Sequence, residues 1–358
     1  MNDDRSEPVP IRWGILSTAR IALREVIPAM QQSRSARVVA IASRDAQRAQ
    51  TAADDLGIPR AYGSYDALLT DPDVDAIYNP LPNHLHVPWS IRAAEAGKHV
   101  LCEKPLALSA TQARELIAVR ARAGVQIGEA FMVRTHPQWL AVRDLVDSGR
   151  IGDVRLITAH FSYSRRDSND IRSRVEFGGG ALLDIGCYPI TLSRWLFNEE
   201  PIEVVALLER DPQLRVDRMT SALMRFPTRQ ATFTCAGELV PYQTMQIFGL
   251  SGRISVEIPF NAPSDRPCRI VVDDGRDLFG GGLETIEFPV VDQYTLQADR
   301  FADAIRGVAP VPVGLEDAIA NMSVIDALFR SAETHAWERP MSHELTANSA
   351  ELRVGGEL

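Results

Sequence analysis

Along the first 130 positions, short apolar runs alternate with stretches in which apolar residues recur every three to four positions. The runs at 11–16, 38–42, 76–79, 98–102 and 125–131 predict strands, and the stretches 20–32, 45–56, 84–96 and 109–123 predict helices. A shorter unit, 61–70, leads into the third strand. Pro28 should kink or shorten the first helix, because it lacks an N–H and crowds the preceding turn. Strands separated by helices of this length imply right-handed βαβ crossovers and a parallel sheet. This half reads as a doubly wound domain of the Rossmann type.

After about residue 134 the rhythm changes. A helix at 137–148 precedes an alternating strand at 154–163, and further strand-like runs follow at 202–208, 220–226, 231–235, 244–248 and 253–258. Most are separated by turn residues with no room for crossover helices, so the second sheet should be largely antiparallel, with about five or six strands. Helical patterns return at 182–197, 294–306 and 315–334. The chain is therefore α/β in its first part and α+β around an open sheet in its second. The division expected is 1–133 for dinucleotide binding and 134–358 for substrate binding and oligomerisation, with a loose tail at 344–358. An open sheet covered by helices on one face needs cover on the other. That predicts a homodimer or homotetramer, with Met224, Phe233 and Phe248 as candidates for the contact face.

Charge and composition narrow the function. With 47 acidic against 38 basic residues the net charge is −9, which argues against a nucleic-acid partner. No apolar run is long enough to span a membrane, and the polar start has no signal-peptide pattern, so a cytoplasmic protein is expected. Cys102, Cys187, Cys235 and Cys268 form no CxxC pair and read as reduced thiols. Of the 38 basic residues only Lys98 and Lys104 are lysine. Where lysine persists against such a bias, a compact ammonium with a shiftable pKa is the property at stake.

Four junctions carry candidate chemistry. At the first strand–helix turn, Ser17, Ala19 and Ala22 stand at the three small-residue positions of the G-x-G-x-x-G/A dinucleotide fingerprint. Ser17, Thr18, Ala19, Arg20 and Ile21 are thus candidates for contact with a pyrophosphate. After the second strand come Ser43, Arg44 and Asp45, with Arg48 one turn on. A hydroxyl and guanidinium suit a ribose 2′-phosphate, and no acidic residue holds the position from which NAD enzymes bind the 2′-hydroxyl. NADP is therefore expected over NAD, and Asp45 suits a helix cap. The third strand leads into Pro82, Asn83, His84 and His86, where Asn83 suits a cap and either histidine is placed to face a nicotinamide ribose. Neither histidine has the company a metal site needs. The fourth strand ends in Glu103-Lys104-Pro105, where proline restricts the backbone of Lys104; cis or trans is left open.

In the second half, Gly178-Gly179-Gly180 leads into a helix carrying Asp184 and Tyr188, four residues apart and so neighbours on one face. A carboxylate and phenol in apolar surroundings read either as a site or as a mutually bonded pair.

These motifs, in this order and spacing, resemble the Gfo/Idh/MocA oxidoreductases over about 11–336. The supporting residues are Trp13-Gly14-Ile15, Pro82-Asn83-His84, Glu103-Lys104-Pro105, and Gly179-Gly180 leading into Asp184 and Tyr188. Ser17 and Ala19 depart from the usual glycines. Within the family the chain is similar to NADP-dependent D-xylose 1-dehydrogenases and dimeric dihydrodiol dehydrogenases. The resemblance implies hydride transfer between nicotinamide and a carbinol or carbonyl carbon of a sugar or polyhydroxy substrate, for instance aldose to aldonolactone. It places Lys104 and Tyr188 beside the reacting carbon of nicotinamide, with Asp184 on the substrate. Phe131, Arg134, His136 and the 163–177 loop, with Arg165, Arg166, Asp167, Asn169 and Arg172, are further candidates for substrate contact. Two alternatives come with the family: redox-assisted glycoside cleavage or elimination, and a non-catalytic nucleotide-sensing regulator. Retention of Lys104 and Tyr188 favours an enzyme. Tyr188 would be the acid/base, with the Lys104 ammonium expected to lower its phenol from the ordinary pKa of about 10.

Overall fold

The computed structural model describes residues 9–164 and 167–341. The candidates Arg165 and Arg166 and the 344–358 tail lie outside the described residues. Six strands form the first sheet: β1 (Ile11–Leu16), β2 (Ala36–Ala42), β3 (Arg60–Tyr62), β4 (Ala76–Asn79), β5 (His99–Glu103) and β6 (Ile127–Ala130). Their order is β3-β2-β1-β4-β5-β6, and every pairing is parallel. Connections run to opposite sides from β1, so the crevice beyond the ends of β1 and β4 is the switch point where such sheets take ligands. The first crossover is helical from residue 20 to 32 and ends in α1 (Ile27–Gln32). Pro28 does not break it: a wider π turn, Ala22–Val26, ends two residues before the proline, with the Ile27 N–H reaching back to the Ala22 carbonyl.

The remaining crossovers carry α2 (Ala46–Leu56), α3 (Tyr65–Leu69), α4 (His86–Glu95) and α5 (Ala110–Ala123). Asp45 caps α2 by accepting from the Arg48 N–H, as its residue type suggested.

The second half holds α6 (Pro137–Asp147), β7 (Val154–Ser164) and α7 (Cys187–Phe197). The strands β8 (Glu203–Arg210), β9 (Asp217–Arg225), β10 (Gln230–Ala236), β11 (Glu238–Gly249) and β12 (Arg253–Val256) follow. A hairpin of β13 (Cys268–Asp273) and β14 (Leu283–Phe288) then precedes α8 (Gln293–Ile305) and α9 (Leu315–Thr334). The sheet has eight strands in the order β14-β13-β12-β11-β7-β10-β9-β8. Only β7 and β10 pair in parallel, so it is largely antiparallel. The hairpin β13–β14 escapes the sequence pattern because the edge strand β14 buries little: Leu283, Glu284 and Thr285 are all exposed, and only Phe288 in it is buried.

Met224 and Phe233 are buried in the core shared with α7 and α9, so neither belongs to the open face. The sheet register decides this, since Met224 lies opposite Ala231, and Phe233 opposite Ala222, all inward. The other face presents half-buried Thr158, Thr232, Gln246 and Phe248, with Leu207 exposed near one edge.

Helix α8 and the segment after it return to the first domain. Phe301 packs on Trp13 at 5.7 Å between ring centroids, and the Val313 carbonyl accepts from the Glu129 N–H at 2.9 Å. Gly128 permits this approach, because a Cβ there would fall 2.7 Å from Val311 and 3.0 Å from Phe301.

Candidate active site

The turn after β1 shows why glycine is usual there. Ser17 has φ 75°, in the left-handed region, and its Oγ accepts the Ala19 N–H at 3.2 Å. A hydroxyl bonding locally thus supports a conformation that glycine adopts freely. Thr18, Leu23, Asp45, Gln47, Arg48 and Thr51 line a groove of about 280 Å³ beside this turn. Ser43 is buried and accepts the Asp45 N–H at 3.2 Å, which leaves its hydroxyl proton to donate. Arg44 is exposed beside Tyr65, whose phenol burial raises and the guanidinium lowers. Arg20 is exposed, whereas Ile21 packs partly on the core. Small residues at the turn, a donor hydroxyl and two guanidinium groups fit a dinucleotide carrying an extra phosphate.

Two turns meet beneath the crevice. His86 is fully buried, with Nε2 2.6 Å from the Leu81 carbonyl and Nδ1 2.7 Å from the Pro105 carbonyl. Burial pushes its pKa down to about 4, so the neutral ring donates to one carbonyl at a time. His86 therefore ties the 81–84 turn to the cis Lys104–Pro105 peptide instead of facing a cofactor. Asn83 does not cap its helix; its Nδ2 donates to the Gly178 carbonyl at 2.9 Å. His84 stacks on Phe177 at 4.6 Å, so Pro82–His84 form the seat of the 171–178 segment. Glu103 accepts the Tyr78 hydroxyl at 2.6 Å and the Lys104 N–H at 3.2 Å, and burial raises its pKa.

Above these turns, residues from distant parts of the chain converge. The Lys104 Nζ donates to the Asp184 carbonyl at 2.6 Å and to its Oδ1 at 3.2 Å, and it lies 5.0 Å from the Tyr188 ring centre. Asp184 Oδ2 accepts the Tyr163 hydroxyl at 2.7 Å and pairs with Arg172 Nε at 2.9 Å. Burial alone would raise the Asp184 carboxyl, but Lys104 and Arg172 outweigh it and hold the group well below the usual range. Burial alone would lower the Lys104 pKa, but the Asp184 carboxylate outweighs it and raises the pKa.

Asp184 and Tyr188 are not bonded to each other. Asp184 lies in a π turn, Leu182–Gly186, while the Tyr188 hydroxyl contacts Met132 Sδ at 3.6 Å. Phe131 meets the Tyr188 ring edge-on at 5.2 Å, and Phe161 and Phe260 enclose it at 5.9 and 5.6 Å. The expected lowering of the phenol is reversed: burial raises Tyr188 well above 10, because the ammonium lies over the ring and not at the oxygen. Asp217 anchors the start of this helical run by accepting the Leu182 N–H at 2.7 Å, and Gly180 leaves it room.

Arg134 and His136 lie apart from this cluster. Arg134 pairs with Asp317 at 2.9 Å and lies over Trp195, and Asp317 also holds Arg194 at 2.8 Å. His136 caps α6, its Nδ1 accepting the Gln138 N–H at 3.3 Å. Both side chains are spent on packing the second domain. Asp167 accepts the Asn169 N–H at 2.9 Å and so shapes the loop leading to Arg172. Phe161, Phe260 and Met132 are candidate-site residues that the sequence reading did not name, and Tyr163 entered it only as the first residue of the 163–177 loop. The period-two alternation of β7 held the signal for two of them, since Phe161 and Tyr163 share one face.

The arrangement places a phenol and an ammonium–carboxylate pair at the ligand edge of a parallel sheet, beside a dinucleotide turn. It can move a proton at a hydroxyl or carbonyl oxygen. Residues 11–131 match the oxidoreductase family with an NAD-binding Rossmann fold, and residues 139–255 match the GFO/IDH/MocA C-terminal domain. An uncharacterized oxidoreductase, ORF334 of Rhizobium meliloti, is 49% identical over 92% of this chain and 98% of its own. D-xylose 1-dehydrogenase (NADP(+)) 2 of Haloferax volcanii is 37% identical over 90% of this chain and 98% of its own. The crystal structure of KijD10, a 3-ketoreductase from Actinomadura kijaniata in complex with NADP and TDP-benzene, superposes with a TM-score of 0.83. It is 33% identical and covers 90% of this chain and 98% of its own. The chain belongs to the GFO/IDH/MocA oxidoreductase family.

Proposed function

We propose that this protein is an NADP(H)-dependent oxidoreductase that interconverts a hydroxyl and a carbonyl on a sugar or related polyhydroxy substrate. The observation that carries the reading is the meeting of Lys104, Asp184 and Tyr188, brought together from both domains at the ligand edge of the first sheet. When bound, the nicotinamide supplies the hydride acceptor or donor. Tyr188 is the acid/base at the reacting oxygen. Its protonated phenol is ready to donate in the direction of reduction, whereas oxidation requires the phenolate, which Lys104 favours by moving from the ring face toward the oxygen. Asp184 is held ionised and takes substrate hydroxyls in exchange for Tyr163 or Arg172. Ser43, Arg44 and Arg48 hold the 2′-phosphate.

Within this class we assign oxidation of an aldose to its aldonolactone, supported by full-length similarity to a D-xylose 1-dehydrogenase. Residues 1–133 serve the cofactor and 134–358 the substrate, and a second copy covers the open face of the eight-stranded sheet. The acting protein is cytoplasmic; among the described residues no helix is long and apolar enough to cross a membrane, and the four cysteines are unpaired. The test is absorbance at the reduced-nicotinamide band with aldoses, ketoses, dihydrodiols and a dTDP-linked ketosugar, using both cofactors. Net reduction of NADP with a free aldose is expected. Turnover confined to the dTDP-linked ketosugar overturns the aldose assignment, turnover without net reduction signals redox-assisted cleavage, and tight cofactor binding without turnover leaves a sensor.

A further inference from the structure

Glu129 lies in β6, opposite Cys102 on β5, and is 3% exposed. Its Oε1 accepts the Leu106 N–H at 2.7 Å, so it grips the chain two residues beyond Lys104. Its Oε2 is buried with no hydrogen-bond partner, and so is Oε1 of Gln297 on α8. Both side chains line one small cavity of about 10 Å³, closed by Leu101, Phe131, Thr135 and Val313. Among the described residues no cation lines it. Two acceptor oxygens therefore face a space that offers no counter-charge, and a proton on Glu129 supplies the donor that an ionised carboxylate would lack.

The charged groups around it do not change this. Glu103 on the neighbouring strand and Asp317 on α9 oppose ionisation. Arg194 on α7 favours it but is spent on Glu200 and Asp317, and Arg134 is paired with Asp317. The thiols of Cys102 and Cys187 face the same region and stay protonated, their pKa values raised by burial. The chain next to Glu129 also serves the site: Phe131 packs on the Tyr188 ring and Met132 accepts its hydroxyl.

We propose that Glu129 is a positioning residue for the hydride-transfer reaction, acting as a neutral carboxylic acid that holds the Lys104 turn through Leu106 and sets the strand whose next residues contact Tyr188. This rests on the function proposed above. Burial, which pushes the Glu129 pKa up to about 8, places its ionisation just above neutral pH. Once ionised, Glu129 is an unpaired buried charge behind the Lys104 turn, and turnover should fall on the alkaline side.

The test compares wild type with Glu129→Gln and Glu129→Ala. Glutamine keeps an acceptor for Leu106 and offers a donor to the cavity, but it cannot ionise. Its kcat should stay within about threefold of wild type at neutral pH, and it should lose the alkaline decline that wild type shows above pH of about 8. Alanine removes the acceptor and should lower kcat at least about tenfold, with NADP affinity within about threefold of wild type. An infrared difference spectrum of wild type minus Glu129→Gln should show a protonated carboxylic C=O band at neutral pH that fades above pH of about 8. A band absent at neutral pH, or an alkaline decline shared by Glu129→Gln, overturns the proposal while the functional reading stands. A wild type inactive on every substrate of the panel overturns both.

Discussion

Strand β5 has a lysine just beyond each end, the only two lysines of the chain, and they do opposite work. Lys98, at the amino end, is buried and donates to the carbonyls of Asp71 and Val74, both at 2.7 Å. Burial lowers its pKa, with Asp71 and Asp75 resisting. Its ammonium staples the loop before β4 to the sheet. Lys104, at the carboxyl end, reaches across to Asp184 in the other domain, and that carboxylate raises its pKa. The difference follows from the direction of a parallel sheet. At the amino ends the connecting loops fold back on themselves and their polar groups are consumed internally. At the carboxyl ends the loops splay at the switch point, and side chains there can face a ligand. Rarity against an arginine background marked both lysines as positions that need a compact ammonium. It did not say which one reaches the candidate site.

The sharpest way to break this contrast is to remove each ammonium in turn. Lys104→Met and Tyr188→Phe should each lower kcat by roughly 10²–10⁴, with NADP affinity nearly intact. Lys98→Met should leave kcat unchanged, and a comparable loss of turnover there would erase the distinction. Lys104→Arg should also lose most activity, because a forked guanidinium does not fit between the Asp184 carbonyl and the Tyr188 ring.

Stability should divide the other way. Lys98→Met leaves two buried carbonyls without their donor and should cost about 1–3 kcal/mol in urea unfolding. A variant as stable as wild type would show that the staple is dispensable.

A smaller effect is expected at the cofactor. Arg44→Ala should reduce the preference for NADP over NAD by about tenfold, since one charge-assisted contact is worth about 1.5–3 kcal/mol. Comparable kcat/KM for the two cofactors in wild type would return Arg44 to the status of a surface residue.

The smallest effect is acid sensitivity. Asp184 is held below the carboxyl pKa of about 3.9 that an unfolded chain has, so its pairing stabilises the fold above that value. That contribution is lost as pH falls below about 4. Asp184→Asn should flatten the acid limb of stability against pH, by chemical unfolding, and an unchanged limb would mean that the Lys104–Asp184 pair contributes nothing net.

Most of the first domain was legible because each of its elements follows from a local rule. Periodicity separated strand from helix, Asp45 announced its cap, and the proline-bearing helix at 20–32 survived as one run. The candidate residues at the ends of β1, β2, β4 and β5 were legible for the same reason, since a βα junction can be located from the pattern alone. The edge hairpin β13–β14 was not, because its outer strand is exposed along most of its length and so carries no clear alternation. Nor could sequence separate Arg172 from Arg134. One meets Asp184 and the other Asp317, which is 183 positions away.

Local pattern along the chain is enough to assign the fold class, the βα junctions that hold the candidate residues, and the residue types placed there, because these depend on neighbours within a few positions. Tertiary structure decided partners and protonation. Lys104 meets Asp184 across 80 positions, the inward register of β9 and β10 removed Met224 and Phe233 from the open face, and burial raised the phenol of Tyr188 that its lysine was expected to lower. Charge pairing and desolvation depend on which distant segments the packed chain brings together, and no local pattern encodes them.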